Sequence, residues 1–334
     1  MTSLPASHPP VPAPRIGVLL VNLGTPEAAS ARAVRRYLKQ FLSDKRVVEL
    51  PSILWQPILR GAVLRTRPRK SARAYAQVWT PEGSPLLAFT RRQAFALDAR
   101  LGEEITVAFA MRYGQPGIGE VLSAMQAKGC DRILVAPLYP QYCAATTATA
   151  NDAAFAALAD MRWQPALRTL PPYFDDPAYI DALAGEIEQA VGALDFKPRA
   201  ILASFHGMPQ RTLEKGDPYH CHCQKTARLL GERLSIPLTI GFQSRFGRAK
   251  WLEPATDTML ARLAKEGIKD IAVVAPGFSA DCLETLEELA IRGREQFLEA
   301  GGRNFAYLPC LNDGERGLAM LETIVRRELA GWIA

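Results

Sequence analysis

The chain has 334 residues, 48% hydrophobic and 22% charged. That balance suits a core-forming globular protein of one large or two medium domains and excludes disorder over most of its length. The formal charge of +6 suits an anionic partner, such as a membrane surface or a carboxylate-bearing substrate, but is too modest for this length to mark a nucleic-acid binder.

The first fourteen residues, MTSLPASHPPVPAP, are Pro-rich and uncharged. They read as a flexible tail, with neither the basic start nor the apolar core of a signal peptide. Buried strands are predicted at IGVLLVNL (16–23), ITVAFAM (105–111), RILVAPLYP (132–140), AILASFHG (200–207), LTIGFQS (238–244) and IAVVAPGFS (271–279). Their apolar residues are continuous and not alternating, as in strands covered on both faces. Between them lie helical patterns such as 118–128 and 254–265, with apolar residues three and four apart. This rhythm predicts an α/β fold with parallel sheets. It occurs twice, so the chain divides near residue 190 into two similar Rossmann-like halves with a cleft between them. The expected units are a tail at 1–14, a first α/β domain at 15–190 and a second at 191–313. A last helix within 314–334 could pack back on the first. No window approaches about 18 uninterrupted apolar residues, so no membrane-spanning helix is predicted.

Segment 51–75 begins apolar, with Ile53, Leu54, Trp55, Ile58 and Leu59. It then turns basic, with Arg60, Arg65, Arg67, Arg69, Lys70 and Arg73. It reads either as an amphipathic surface helix with a solvated basic end, or as a greasy lip beside cations that suits an apolar acid or a bilayer surface.

Several strands end in polar or Gly/Pro segments, and the carboxyl ends of parallel strands are where such folds place their chemistry. His206 follows one strand in SFHGMP. It is either a capping residue or a proton acceptor and metal ligand. PGFSADCLETLEEL follows another, with Asp281, Glu284, Glu287 and Glu288. At about 100° per residue, Asp281, Glu284 and Glu288 share one helical stripe, with Glu287 at its edge. That stripe is either a solvated acidic face or a carboxylate path for a divalent metal. His220, Cys221, His222 and Cys223 lie side by side, without the paired spacing of a structural zinc site. They read as a loop capping the next helix. The chain has no G-x-x-x-x-G-K-[ST], G-x-G-x-x-G or G-x-S-x-G motif, so nucleotide-driven and acyl-transfer chemistry lack support. The six cysteines are scattered, which fits a reducing compartment.

The set VNLGTPEA, AMRYGQP, LYPQY, SFHGMPQRTLEKGDPY, FQSRFGRAKWLEPATD and PGFSADCLETLEE resembles the ferrochelatase family, whose members insert ferrous iron into a porphyrin at the end of heme synthesis. The resemblance runs from about residue 15 to 330. It implies two α/β domains of the class II chelatase type with the macrocycle between them. It also implies an iron site at His206 and Glu284, and a proton or metal relay at Asp281 and Glu288. The pocket lining it implies is Phe278, Arg112 and Tyr113, with Leu23 marking protoporphyrin IX over coproporphyrin. The propionate-holding, membrane-facing lip would carry Arg65, Arg67, Arg69 and Ser84. The substrates would be Fe²⁺ and protoporphyrin IX, with no required cofactor and no [2Fe–2S] cluster. The protein is expected to be a cytoplasmic monomer touching the inner face of the membrane peripherally through 51–75. Two rivals remain: a cobalt or coproporphyrin-type chelatase, and a non-catalytic porphyrin or heme carrier.

Overall fold

The computed structural model describes residues 7, 13–247 and 249–333. Nearly all of the tail expected at 1–14 lies outside them. Two four-stranded parallel sheets form the body. The first holds β1 (Arg15–Gly24), β2 (Ile105–Tyr113), β3 (Cys130–Pro137) and β4 (Ala166–Thr169) in the order β2-β1-β3-β4. The second holds β5 (Ala200–His206), β6 (Leu238–Gln243), β7 (Asp270–Val274) and β8 (Asn304–Tyr307) in the order β6-β5-β7-β8. The two orders are the same once four is subtracted from the second. This is the doubled rhythm predicted from the apolar runs.

The central strands form because their side chains have no face to give to water. Val18, Leu19, Leu20 and Val21 on β1 and Ile201, Leu202 and Ala203 on β5 are fully buried. Each such large apolar side chain contributes about 1.5–3 kcal/mol of transfer free energy. The edge strands β4 and β8 have four residues each and are mostly half-buried. Neither was predicted, because ALRT and NFAY present no sustained apolar run.

Segment 51–75 is helical, as helix Ser52–Ile58, a π-helical turn Leu59–Val63 and helix Leu64–Val78. Ile53, Leu54 and Ile58 are 83%, 62% and 50% exposed, while Leu59, Leu64, Ala72 and Tyr75 turn inward. The last helix, Glu315–Glu328, lies against helices Pro85–Leu101 and Pro177–Gly192. Arg326 donates to the Arg100 carbonyl across that contact.

The two halves meet at helix Tyr219–Arg233 and the turn before it. Residues 220–223 form its first turn and are not a capping loop. His222 stacks on Phe174 at 3.6 Å between ring centroids and accepts the Tyr142 N–H on Nδ1 at 3.2 Å. Just before the helix, the Asp217 carboxylate accepts the Ala144 N–H at 2.8 Å. Burial, with Lys225 adding to it against the opposing pull of Asp175 and Asp217, pushes the His222 imidazolium below its ordinary range. As pH falls below about 6.5 the unfolded chain binds this proton before the folded one does, so stability falls with pH across that interval. Protonation at Nδ1 also removes the acceptor for Tyr142. Melting curves between pH 7.5 and 5.5 should therefore show a loss of stability in the wild type that His222→Gln reduces. Parallel pH dependence in the two proteins would show that His222 is not responsible.

Candidate active site

His206 ends β5 and pairs in register with Gln243, which ends β6. Its Nδ1 lies 2.7 Å from the Gly207 carbonyl. A proton on Nδ1 makes this a hydrogen bond and leaves the Nε2 lone pair for another partner. The Gly207 N–H donates to the Gln243 carbonyl at 2.7 Å, and a Cβ on Gly207 would stand 2.4 Å from that same oxygen. Only glycine lets the chain turn here, against the tip of β6.

Gln243 is the residue that sequence reasoning missed. It is buried, its Oε1 accepts the Ser204 hydroxyl at 2.7 Å, and its Nε2 donates to the Glu284 carbonyl at 2.9 Å. The strand tip bearing His206 and the helix bearing Glu284 are thus tied through one amide. Only the strand pattern hinted at this, since it put FQS, like SFH, at the carboxyl end of a buried strand.

The acidic segment differs from the expected stripe. The helix from Glu284 to Gly293 is π-helical and starts after Asp281, so its winding is wider than the α-helical spacing that aligned the three acids. Each acid has its own partners. Asp281 is 3% exposed and is saturated by Tyr307, Asn312 and Thr285. Glu288 accepts both the Ser244 N–H, at 2.8 Å, and the Ser244 hydroxyl, at 2.6 Å. Glu287 pairs with Arg292, five residues on, at 2.9 Å. Glu284 is half-buried. Its charge adds to burial in raising the Tyr37 and Tyr75 phenols, so its carboxylate lies near those two rings of the first half. Among the described residues, no group of three or more His, Cys, Asp or Glu converges as a metal cage.

On the opposite wall, Gly24 ends β1 so close to β2 that its Cβ would fall 1.7 Å from the Tyr113 carbonyl. This places half-buried Leu23 beside Arg112 and Tyr113. Arg112 donates to Asp44 at 2.5 Å and to the Thr149 carbonyl and hydroxyl at 2.9 and 2.7 Å. Tyr113 donates to the same Asp44 at 2.9 Å. Burial pushes the Asp44 carboxyl up, but the Thr149 hydroxyl, the Arg46 N–H, Tyr113 and the Arg112 charge outweigh it and hold it below the usual range. A cavity of about 1130 Å³ opens at this wall, lined by Arg112 and by the unpredicted Arg36, Lys39, Asp44, Lys45 and Lys215. Neither His206 nor Glu284 lines it.

Phe278 packs with Leu86, Phe89, Ala280 and Cys282. Arg65, Arg67 and Arg69 are exposed on helix Leu64–Val78, and Arg67 stands over the Phe246 ring of the second half at 4.8 Å. Ser84 is buried at the start of helix Pro85–Leu101, so it does not share the solvent-facing surface of the lip arginines.

Residues 15–329 match the family model described as Ferrochelatase. A ferrochelatase of Rhizobium meliloti (strain 1021) is 56% identical over 333 residues, 98% of each chain. The chain belongs to the ferrochelatase family. It is therefore an enzyme, a lyase of heme biosynthesis. A ferrochelatase of Agrobacterium fabrum (strain C58 / ATCC 33970) is 52% identical over 340 residues, 100% of this chain and 99% of that one. Among solved structures, SirB from Bacillus subtilis with Fe³⁺ superposes with a TM-score of 0.54 at 13% identity, covering 95% of this chain and 97% of that one. CbiX, of siroheme biosynthesis in denitrifying bacteria, gives 0.50 at 15%, covering 95% and 100%. These two share the chelatase fold, with two Rossmann-like sheets flanked by helices.

In this member of the family the Gly207 turn should tolerate no side chain. Gly207→Ala is expected to cost about 1–3 kcal/mol in urea denaturation as the tips of β5 and β6 move apart. An unchanged midpoint would show that the tips are not packed as described.

Proposed function

We propose that the protein inserts Fe²⁺ into protoporphyrin IX, with His206 and Glu284 handling metal and protons on one side of the ring. The observation that carries this is the Gln243 tie, which joins the strand tip bearing the His206 imidazole to the backbone of Glu284. Insertion must remove two pyrrole N–H protons from a flat, stiff macrocycle. Bending the ring aims nitrogen lone pairs at the metal, a form of ground-state strain. The Nε2 of His206 accepts one proton, and Glu284 supplies negative charge to hold either Fe²⁺ or the departing proton. Both protons leave as solvent hydrons, so the charge of Fe²⁺ is balanced by the dianionic ring.

Leu23 supports protoporphyrin over coproporphyrin, since an apolar side chain at the tip of β1 faces the ring without offering it an oxygen. Arg112 and Tyr113 act there as a wall stiffened by Asp44. The exposed Arg65, Arg67 and Arg69 suit the propionates at the mouth. Asp281 is occupied by neutral donors, and Glu288 by Ser244 with Arg292 3.7 Å away, which favours holding the helix over relaying ions.

Histidine-to-alanine replacement at 206 should lower kcat with protoporphyrin by about 10²–10⁴-fold, while porphyrin binding followed by fluorescence stays within a few-fold. Glu284→Gln should do the same. Retained insertion by His206→Ala would remove the catalytic reading in favour of a carrier, and faster turnover of coproporphyrin by the wild type would overturn the substrate.

Among the described residues no helix is long and apolar enough to cross a membrane. Exposed Ile53, Leu54 and Ile58 beside the lip arginines support a peripheral contact, each cation near an anionic surface adding about 1 kcal/mol. Sedimentation with anionic liposomes should carry down the wild type and leave an Ile53→Glu, Leu54→Glu variant in solution. Equal sedimentation would rule out this surface.

A further inference from the structure

We propose that Tyr307 and Asn312 are positioning residues, which fix the direction of Glu284 by gripping Asp281 at the turn where β7 gives way to the π-helix. The inference rests on the reading of Glu284 given above. Asp281 is a buried carboxylate that takes part in no ion pair among the described residues. Such a group is tolerable only if neutral donors saturate it. Tyr307 donates its hydroxyl to Oδ1 at 2.6 Å, Thr285 donates to the same oxygen at 2.8 Å, and the Asn312 amide donates to Oδ2 at 2.7 Å. The Asp281 N–H in turn reaches Asn312 Oδ1 at 2.7 Å. Asn312 therefore holds both the side chain and the backbone of Asp281.

The grip passes directly to Glu284. Thr285, fully buried, also accepts the Cys282 N–H at 3.0 Å, closing a ring of bonds from 281 to 285 with Glu284 inside it. The other end is anchored in the first half of the protein. Gln93, buried on helix Pro85–Leu101, donates to the Ser279 carbonyl at 3.2 Å and to the Asn312 carbonyl at 2.7 Å. Asn312 sits at φ 49°, and its N–H donates to the Ser279 carbonyl at 3.1 Å. Burial pushes the Tyr307 phenol well up, so it keeps its proton and remains a donor. Tyr307 itself ends β8, the short edge strand without an apolar signature. The acidic segment thus contains two kinds of carboxylate: Asp281 is buried among neutral donors and acts only through its neighbour, and Glu284 is half-buried with its charge near Tyr37 and Tyr75.

The experiment is a double-mutant cycle on iron insertion into protoporphyrin, using Tyr307→Phe and Asn312→Gly against Glu284→Gln. Phenylalanine keeps the ring and removes the donor. Glycine keeps the positive φ and removes the amide. Both variants are first checked by thermal denaturation and for protoporphyrin affinity, which should stay within about two-fold. Each is expected to lower kcat about ten-fold in the wild-type background and to add nothing once Glu284 is glutamine. If either loss multiplies undiminished in the Glu284→Gln background, or porphyrin affinity falls in step with kcat, the two residues do not act through Glu284 and the inference fails. Full activity of Tyr307→Phe and Asn312→Gly beside an inactive Glu284→Gln would overturn the inference alone. Full activity of Glu284→Gln would overturn the reading of Glu284 and the inference with it.

Discussion

The side-chain amide of Gln243 is the contact on which the candidate site depends. Its residue pairs with His206 through the sheet, and its Nε2 reaches the backbone of Glu284. A parallel sheet brings its strands' carboxyl ends to one edge, but it does not fix the distance from a strand tip to a helix that begins at Glu284, well beyond the end of β7 at Val274. The buried amide supplies that distance. Its acceptor is used by Ser204 and its donor by Glu284, so neither end can swing away without leaving a buried polar group unpaired, at about 1–3 kcal/mol.

The same logic runs through the rest of the cleft. On the first wall a carboxylate, Asp44, collects the Arg112 guanidinium and two hydroxyls, and the basic residue is spent on rigidity. On the second, Asp281 collects neutral donors, Glu288 holds Ser244, and Glu287 holds Arg292. Both walls are built stiff, as an enzyme that must strain a planar ligand requires. Strain passes to the ligand only if the protein deforms less.

The fold class, the doubled sheet and the positions of His206 and Glu284 were legible because buried parallel strands are written as unbroken apolar runs, and the strand tips could be counted from them. β4 and β8 were not legible. ALRT and NFAY lie at sheet edges, half-exposed and four residues long, so burial leaves little mark on their composition. The acidic stripe was misjudged because the counting assumed α-helical winding, and nothing in the local sequence announces a π-helix. Gln243, Tyr307 and Asn312 were invisible for a different reason. Each acts across a separation of more than twenty residues, and a polar residue at a loop mouth looks the same whether or not it is buried. The resemblance to a known family pointed to His206 and Glu284, the pair proposed to carry the chemistry. It did not indicate which neighbouring acids would prove to be anchors.

Six thiols are present, and five of them, Cys130, Cys143, Cys223, Cys282 and Cys310, are buried, with burial holding each above the ordinary thiol range. Cys221 alone is exposed, on the outer side of the helix whose inner residues join the two halves. Thiol-directed reagents act through the thiolate and need access, so they meet one address on the native molecule. A dye or spin label there would sit outside the contact between the two halves and leave the space between them unoccupied.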